Sequence, residues 1–239
     1  MNILEEMLDH ARADQPNEAC GLVVARGNKV RLIRALNTHV SPRTYFRLDT
    51  SAWLDVEDGE EVIGIYHSHT QTSAEPSLAD RSACEASGVP WHIVDLSGQY
   101  RRIEPSGFRA PYLRRPYVFT IHDCYSIIRD WFNWEWSIVL PDFPREPDFV
   151  KRGQNLYVDN FATAGFVELR DRPVQVGDVF LLQIMNDKIA NHAMLYVEPG
   201  MVLHHAQDRL SSKEPWGGYW AKHTTHHLRH NTKMGSTHG

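Results

Sequence analysis

Val62-Ile63-Gly64-Ile65-Tyr66-His67-Ser68-His69-Thr70-Gln71-Thr72-Ser73-Ala74-Glu75-Pro76-Ser77-Leu78-Ala79-Asp80 is the stretch from which the chain is best read. Its first part is apolar with β-branched residues, which predicts a buried strand over 62–67. Residues two apart on a strand share a side, so His67 and His69 project together from its end. Two imidazoles on one side make a pair of zinc ligands, and Asp80 can supply a carboxylate as a third. Three protein ligands leave a position for water, the arrangement of catalytic rather than structural zinc. A second reading stands beside this one. Ser77-Leu78-Ala79-Asp80 is also a capping box, in which Asp80 serves only the helix start.

Working outward, Pro16-Asn17-Glu18-Ala19-Cys20-Gly21-Leu22-Val23 places a carboxylate just before an apolar strand. With Glu18 included, the set resembles the JAMM (MPN-plus) metallopeptidases. Their pattern is a Glu, then His-x-His, seven residues, Ser, two residues and Asp, and residues 70–76 and 78–79 fill both gaps. The resemblance covers residues 1–106 and implies an α/β sandwich that hydrolyses a peptide or isopeptide bond. It also implies that His67, His69 and Asp80 bind zinc, that Glu18 is the general base and that Ser77 helps hold the oxyanion. Zinc lowers the pKa of its water towards about 7, and a nearby carboxylate takes the proton.

The rest of the first domain reads as α+β. Ile3, Leu4, Met7, Leu8 and Ala11 have helical spacing, which predicts a helix over 2–13. Strands are expected over 22–25 and 30–36 around Arg26-Gly27-Asn28, with a short strand over 45–48 and a short helix over 50–56. The polar residues 70–76 read as a mobile surface loop. A helix over 77–87 ends at Gly88, and strands follow over 91–96 and 100–103. Pro105-Ser106-Gly107-Phe108-Arg109-Ala110-Pro111 reads as a linker, which places a second domain at 112–239.

That domain carries a helix after Cys124, with Tyr125, Ile127, Ile128, Trp131 and Phe132 mostly on one side. A helix start lowers a thiol pKa, because the aligned backbone dipoles favour thiolate. The competing reading is a buried, inert cysteine. The stretch 134–164 is rich in Pro, Asp and aromatics, with a helix expected over 149–161. Strands are expected over 174–182, 191–197 and 201–206. A helix Cys followed by strand histidines gives the Cys-His-polar order of thiol catalysis, although each histidine taken singly reads as a packing residue.

Asp123-Cys124, Gly177-Asp178-Val179, His192 and His204 resemble the NlpC-type, papain-like cysteine peptidases, which cleave peptide stems of bacterial cell walls. The resemblance spans residues 112–230 and implies an α+β fold with Cys124 as nucleophile and His192 as base. It also implies a third polar residue that orients His192. An ungapped count favours His204, whereas a following Ala favours His205. Adjacent strand residues face opposite ways, so only one can serve, and His204 is the expectation. The usual Gly- and Ser-rich surroundings of the Cys are replaced by Ile121-His122-Asp123-Cys124-Tyr125-Ser126, which leaves cleft shape and substrate preference open.

Composition narrows the classes. The 239 residues carry a net charge of -5, which argues weakly against nucleic acid as a partner. No apolar run approaches the roughly 20 residues needed to span a membrane. Met1-Asn2-Ile3-Leu4-Glu5-Glu6 lacks the basic region and apolar core of a signal peptide, so synthesis and folding in a cytosol-like compartment are expected. Cys20, Cys84 and Cys124 do not make a disulfide framework. Histidines gather late, at His223, His226, His227, His230 and His238.

The order of the two domains, with the run Gly217-Gly218-Tyr219-Trp220-Ala221-Lys222-His223-Thr224-Thr225-His226, resembles the tail tip assembly proteins of long-tailed phages. That resemblance implies bacterial peptidoglycan and other tail tip proteins as partners. It also implies residence in the host cytoplasm during assembly, then at the virion tail tip. Two other readings remain. One is an assembly factor with vestigial sites. The other is a cytosolic isopeptidase for a ubiquitin-like modifier, which the first domain alone suggests and the second argues against.

Overall fold

The protein is described by a computed structural model covering residues 2–184 and 188–234, so His238 lies outside the described residues. Two compact units divide at Arg109 and Ala110. Both mix helices with sheet, as the α+β reading expects. Among the described residues, no helix is long and apolar enough to cross a membrane.

The first unit is one sheet covered on both faces. Its strands are β1 (Cys20–Arg26), β2 (Lys29–Ala35), β3 (Glu61–His69), β4 (Trp91–Asp95) and β5 (Tyr100–Ile103), in the order β2-β1-β3-β4-β5. Helix α1 (Ile3–Ala13) is started by Asn2, whose side chain accepts the Leu4 amide in a capping box with Glu5. Its apolar stripe lays Met7 and Ala11 against Val23, Tyr66 and Val94. The opposite face buries Leu22, Val24 and Ile33 against Ala52, Phe46 and Leu48. Alternate residues of central β1 thus enter two different cores. Truncating fully buried Leu22 to Ala should cost about 2–5 kcal/mol.

Helix α2 (Leu78–Ser87) links the parallel pair β3 and β4. Ser77 caps its start, and Gly88 ends it at φ 70°.

Two expectations here need correction. Residues 45–48 form no strand, and Leu48 makes only an isolated bridge to Asn37. The Asn37 side chain takes over the pairing, donating to the Glu18 and Tyr45 carbonyls and accepting from the Arg47 amide. Residues 70–76 are also more than a surface excursion. Ala74 is fully buried, and its amide donates to Asp95 Oδ2 at 3.1 Å.

The second unit packs α3 (Cys124–Trp136) on a six-stranded antiparallel sheet of order β10-β9-β8-β7-β11-β6. The strands are β6 (Phe166–Glu168), β7 (Val179–Leu182), β8 (His192–Glu198), β9 (Met201–His204), β10 (Ser212–Pro215) and β11 (Thr224–His230). Ile127, Ile128, Trp131 and Phe132 of α3 meet Val179, Leu181, Leu195 and Leu228 of the sheet. Gly177 has φ 89°, and a Cβ there would fall 1.8 Å from the Trp136 ring, so the turn before β7 admits only glycine.

The helix expected over 149–161 shrinks to α4 (Leu156–Asn160), because Gly153 turns at φ 71° and Asn155 makes no side-chain cap bond. The last helix is α5 (Gly218–His223). The sequence reading contained no β6, β10 or β11. β10 and β11 are built mostly of residues that count as polar in any period, yet His230 and Arg229 are buried beside Leu228.

Candidate metal centre and candidate thiol site

β3 continues through His69, so both imidazoles leave the same side of a strand whose last four residues are buried. His67 Nε2 and His69 Nε2 lie 3.1 Å apart. Asp80 Oδ1 is 3.4 Å from the first and Oδ2 is 3.4 Å from the second. One ligand atom from each residue falls within 4.8 Å of the others.

The donor chemistry suits a divalent cation. The Ser73 carbonyl can only accept, so His69 Nδ1, at 2.7 Å, carries the proton and Nε2 presents a lone pair. Among the described residues, buried His67 Nδ1 finds no hydrogen-bond partner. Its ring is held instead by stacking on Phe46 at 4.5 Å and by Trp91 edge-on at 5.5 Å.

Asp80 answers both readings of its motif at once. Its Oδ2 accepts the Ser77 amide at 2.7 Å while Ser77 Oγ accepts the Asp80 amide at 3.1 Å. The capping box aims the carboxylate at the imidazoles. Burial pushes the Asp80 carboxyl up, but His67, His69 and Ser77 outweigh it and hold it well below the usual range. Burial drives His67 down.

Glu18 comes to the same place through strand pairing. Cys20 is opposite His67, and the Ala19 amide donates to Ser68 Oγ at 2.9 Å. The Glu18 side chain is 4% exposed. Burial pushes its carboxyl up to about 8, opposed by His69 and reinforced by Asp80. A cation at this centre would draw it back down. Ser77 is exposed, its Oγ accepts the Asp80 amide, and its side chain also helps hold the Asp80 carboxyl down.

In the second unit, Asp123 caps α3 by accepting the Tyr125 and Ser126 amides, which sets Cys124 at the first helical position. The sequence reading expects a lowered thiol pKa there, and the structure overturns it. Cys124 is 5% exposed, and burial followed by the Asp123 charge pushes the thiol up to about 11. Sγ lies 3.0 Å from Tyr157 Oη. Among the described residues, Sγ makes no hydrogen bond to His192, although it lies beside the Ala193 backbone.

His192 begins β8, next to the end of β9, and its Nε2 is 3.0 Å from His204 Nδ1. His204 Nε2 is 3.2 Å from Glu214 Oε1 and 3.3 Å from Ser212 Oγ. Burial drives His192 down to about 3 and also lowers His204. His205 lies one residue past β9 and faces elsewhere, with Nε2 3.1 Å from the Arg209 carbonyl and Tyr117 edge-on to its ring. Glu214, Ser212 and Tyr157 were absent from the sequence reading. The only signal for the first two is Ser-x-Glu, whose period of two puts both on the side of β10 that faces His204.

Residues 2–104 match the model of prokaryotic homologs of the JAB domain, and residues 114–229 match the NlpC/P60 family. The chain is 33% identical over 236 residues to the tail tip assembly protein K of Escherichia phage N15, covering 98% of this chain and 96% of that protein. The tail tip assembly protein K of Escherichia phage lambda is 34% identical over 180 residues, covering 74% and 86%. Over 108 residues the chain is 40% identical to the CysO-cysteine peptidase of Mycobacterium tuberculosis, covering 42% and 73%.

Proposed function

We infer the function of this chain from its family: it belongs to the phage tail tip assembly proteins K, a JAB-type domain followed by an NlpC/P60 domain. We propose that both domains are working hydrolases. The Cys124 site opens peptide stems of peptidoglycan, and the first domain cuts a peptide or isopeptide bond. Other tail tip proteins are its partners, first in the host cytoplasm and then at the tail tip.

The observation that carries the cysteine reading is the direction of the protons along Glu214, His204 and His192. The Glu214 carboxylate accepts from His204 Nε2–H. His204 Nδ1 therefore presents a lone pair and accepts from His192 Nε2–H. That leaves His192 Nδ1 as the basic nitrogen, the one required to take the Cys124 proton. The thiolate then attacks the scissile carbonyl, and the C–N bond breaks as the imidazolium returns its proton to the leaving amine. A water deprotonated by His192 hydrolyses the resulting thioester to the acid and restores the thiol. Trp220 Nε1–H on Glu214 Oε2 at 3.0 Å fixes the far end of the chain.

In the first domain, His67, His69 and Asp80 would hold zinc, which supplies a Lewis acid and an acidified water when bound. Glu18 would take a proton there, and the exposed Ser77 hydroxyl would serve an oxyanion. The likeness to the CysO-cysteine peptidase favours a peptide-type bond as its target.

A second reading, an assembly factor with vestigial sites, draws on the Tyr157 hydroxyl seated on Sγ. Digestion of purified cell-wall sacculi, read by mass spectrometry, separates the two. Wild type should release stem peptides and folded Cys124→Ala none. The absence of product from either protein favours the assembly factor.

A further inference from the structure

Tyr157 sits where a substrate carbonyl would have to be. Reaction at Sγ needs the carbonyl carbon about 3–3.5 Å away, and Tyr157 Oη already lies 3.0 Å from a thiol that is 5% exposed. The phenol comes neither from α3 nor from the sheet. It is carried by the segment between α3 and β6, whose hold on the unit is uneven.

At its near end the segment is anchored. Arg145 is 3% exposed and bonds Asp123 Oδ2 at 3.1 Å, Asp142 Oδ1 at 2.7 Å and the Thr120 carbonyl at 3.2 Å. Tyr125 Oη donates to the Pro141 carbonyl at 2.7 Å. Beyond Arg145 the backbone bonds are local, such as Arg152 to Asp148, Gln154 to Phe149 and Asp159 to Asn155. α4 has no buried residue and no side-chain cap.

Beneath the segment lies a cavity of about 40 Å³, roofed by Leu156, Tyr157 and Phe161 and floored by Ile128, Val179 and Leu181. Buried Phe149 and Ala164 pin the segment on either side of α4. Between them α4 lies over this cavity with Tyr157, Val158 and Phe161 only partly buried against the core and with no side-chain cap.

Resting on the cysteine-peptidase reading above, we propose that residues 150–163, between buried Phe149 and Ala164, are a lid, that Tyr157 is its plug and that Cys124 is latent until the lid lifts. Burial is the largest influence on both members of the pair, with the thiol at about 11 and His192 at about 3. In the closed form both are neutral. Lifting the lid admits water, which eases both shifts towards the ordinary values and frees the approach to Sγ. A chain assembled beside wall precursors would thereby stay inactive until it reaches its target.

The test is iodoacetamide alkylation of Cys124 in the full chain near pH 7, read by peptide mass spectrometry, with Cys20 and Cys84 labelling as the fold control. Tyr157→Ala should react at least about tenfold faster than wild type, because rate follows the open population. Tyr157→Phe keeps the ring and should change the rate less than about threefold. Equal rates in all three proteins, or slowing in both variants, overturn the lid. Hydrogen exchange of wild type gives an independent readout. Amides 150–162 should exchange faster than those of α3, and equal protection overturns the lid. Sacculus digestion separates the two proposals. Faster labelling of Tyr157→Ala without wall cleavage keeps the lid and removes the peptidase reading, whereas cleavage by wild type with unchanged labelling of Tyr157→Ala does the reverse.

Discussion

The two sites differ in how far apart in the chain their parts lie and in what their electrostatics await. The metal centre takes His67, His69 and Asp80 from one short stretch, with Glu18 added by strand pairing. Its converging lone pairs and depressed carboxylate have room for a positive charge. The thiol site draws Cys124 from α3, His192 from β8, His204 from β9, Glu214 from β10 and Tyr157 from α4. Its Cys124 and His192 are both held neutral by burial. The compact cluster is suited to a cation. The dispersed one, on the reading proposed above, awaits a change in solvation.

The largest effect that would sharpen this contrast is on the thiol side. Cys124→Ala should lower wall-peptide cleavage by about three orders of magnitude or more while leaving metal content unchanged. A residual rate near wild type would break the assignment. Next comes the metal. Purified protein should carry about one zinc, which the double change His67→Ala, His69→Ala removes. Elemental analysis after zinc add-back checks this. Chelation, or Glu18→Gln, should leave wall cleavage within about twofold, because the thiol chemistry uses no metal. Dependence of cleavage on zinc would merge the two sites into one.

A smaller effect tests the hydrogen-bond chain. His204→Ala should reduce kcat/KM about 10–100-fold by freeing the His192 ring, whereas His205→Ala should change it less than about threefold. Equal losses would erase the distinction between neighbours.

The smallest effect is in stability against pH. His192 at about 3 and His122 and His205 at about 4 are depressed chiefly by burial from an ordinary value of 6.5. Below pH 6.5 the unfolded chain binds more protons than the folded one. The second unit should therefore lose stability as pH falls from 6.5 towards 3. Metal-free Glu18, raised to about 8 from 4.5, acts in the opposite sense, and its contribution fades as pH rises from 4.5 through 8. Hydrogen exchange of chelated protein at several pH values, resolved by unit, should show the second unit weakening below pH 6.5 and, above 6.5 where depressed histidines are neutral in both states, the first unit weakening towards pH 8.

How much could be read in advance follows the same division. The spacing from His67 to Asp80, the helix caps at Asn2, Ser77 and Asp123 and the apolar stripe of α3 are short-range facts. A strand period of two, a helix period of 3.6 and a cap motif translate them into geometry. They therefore suffice for the α+β class, for the metal cluster and for the position of Cys124 on its helix. Residues 45–48 misled because an Asn37 side chain, rather than a backbone, took up their hydrogen bonds.

The identity of the residue beside His192 lay beyond such spacing, because His204 and His205 differ only in which way β9 turns them. The charge state of Cys124 lay beyond it too. Its helix start is local and favours thiolate, but burial, the largest influence on the thiol, comes from folding and pushes it the other way. Glu214 became legible only once β10 was paired to β9. Desolvation and long-range pairing depend on which segments pack together, and no local period encodes that.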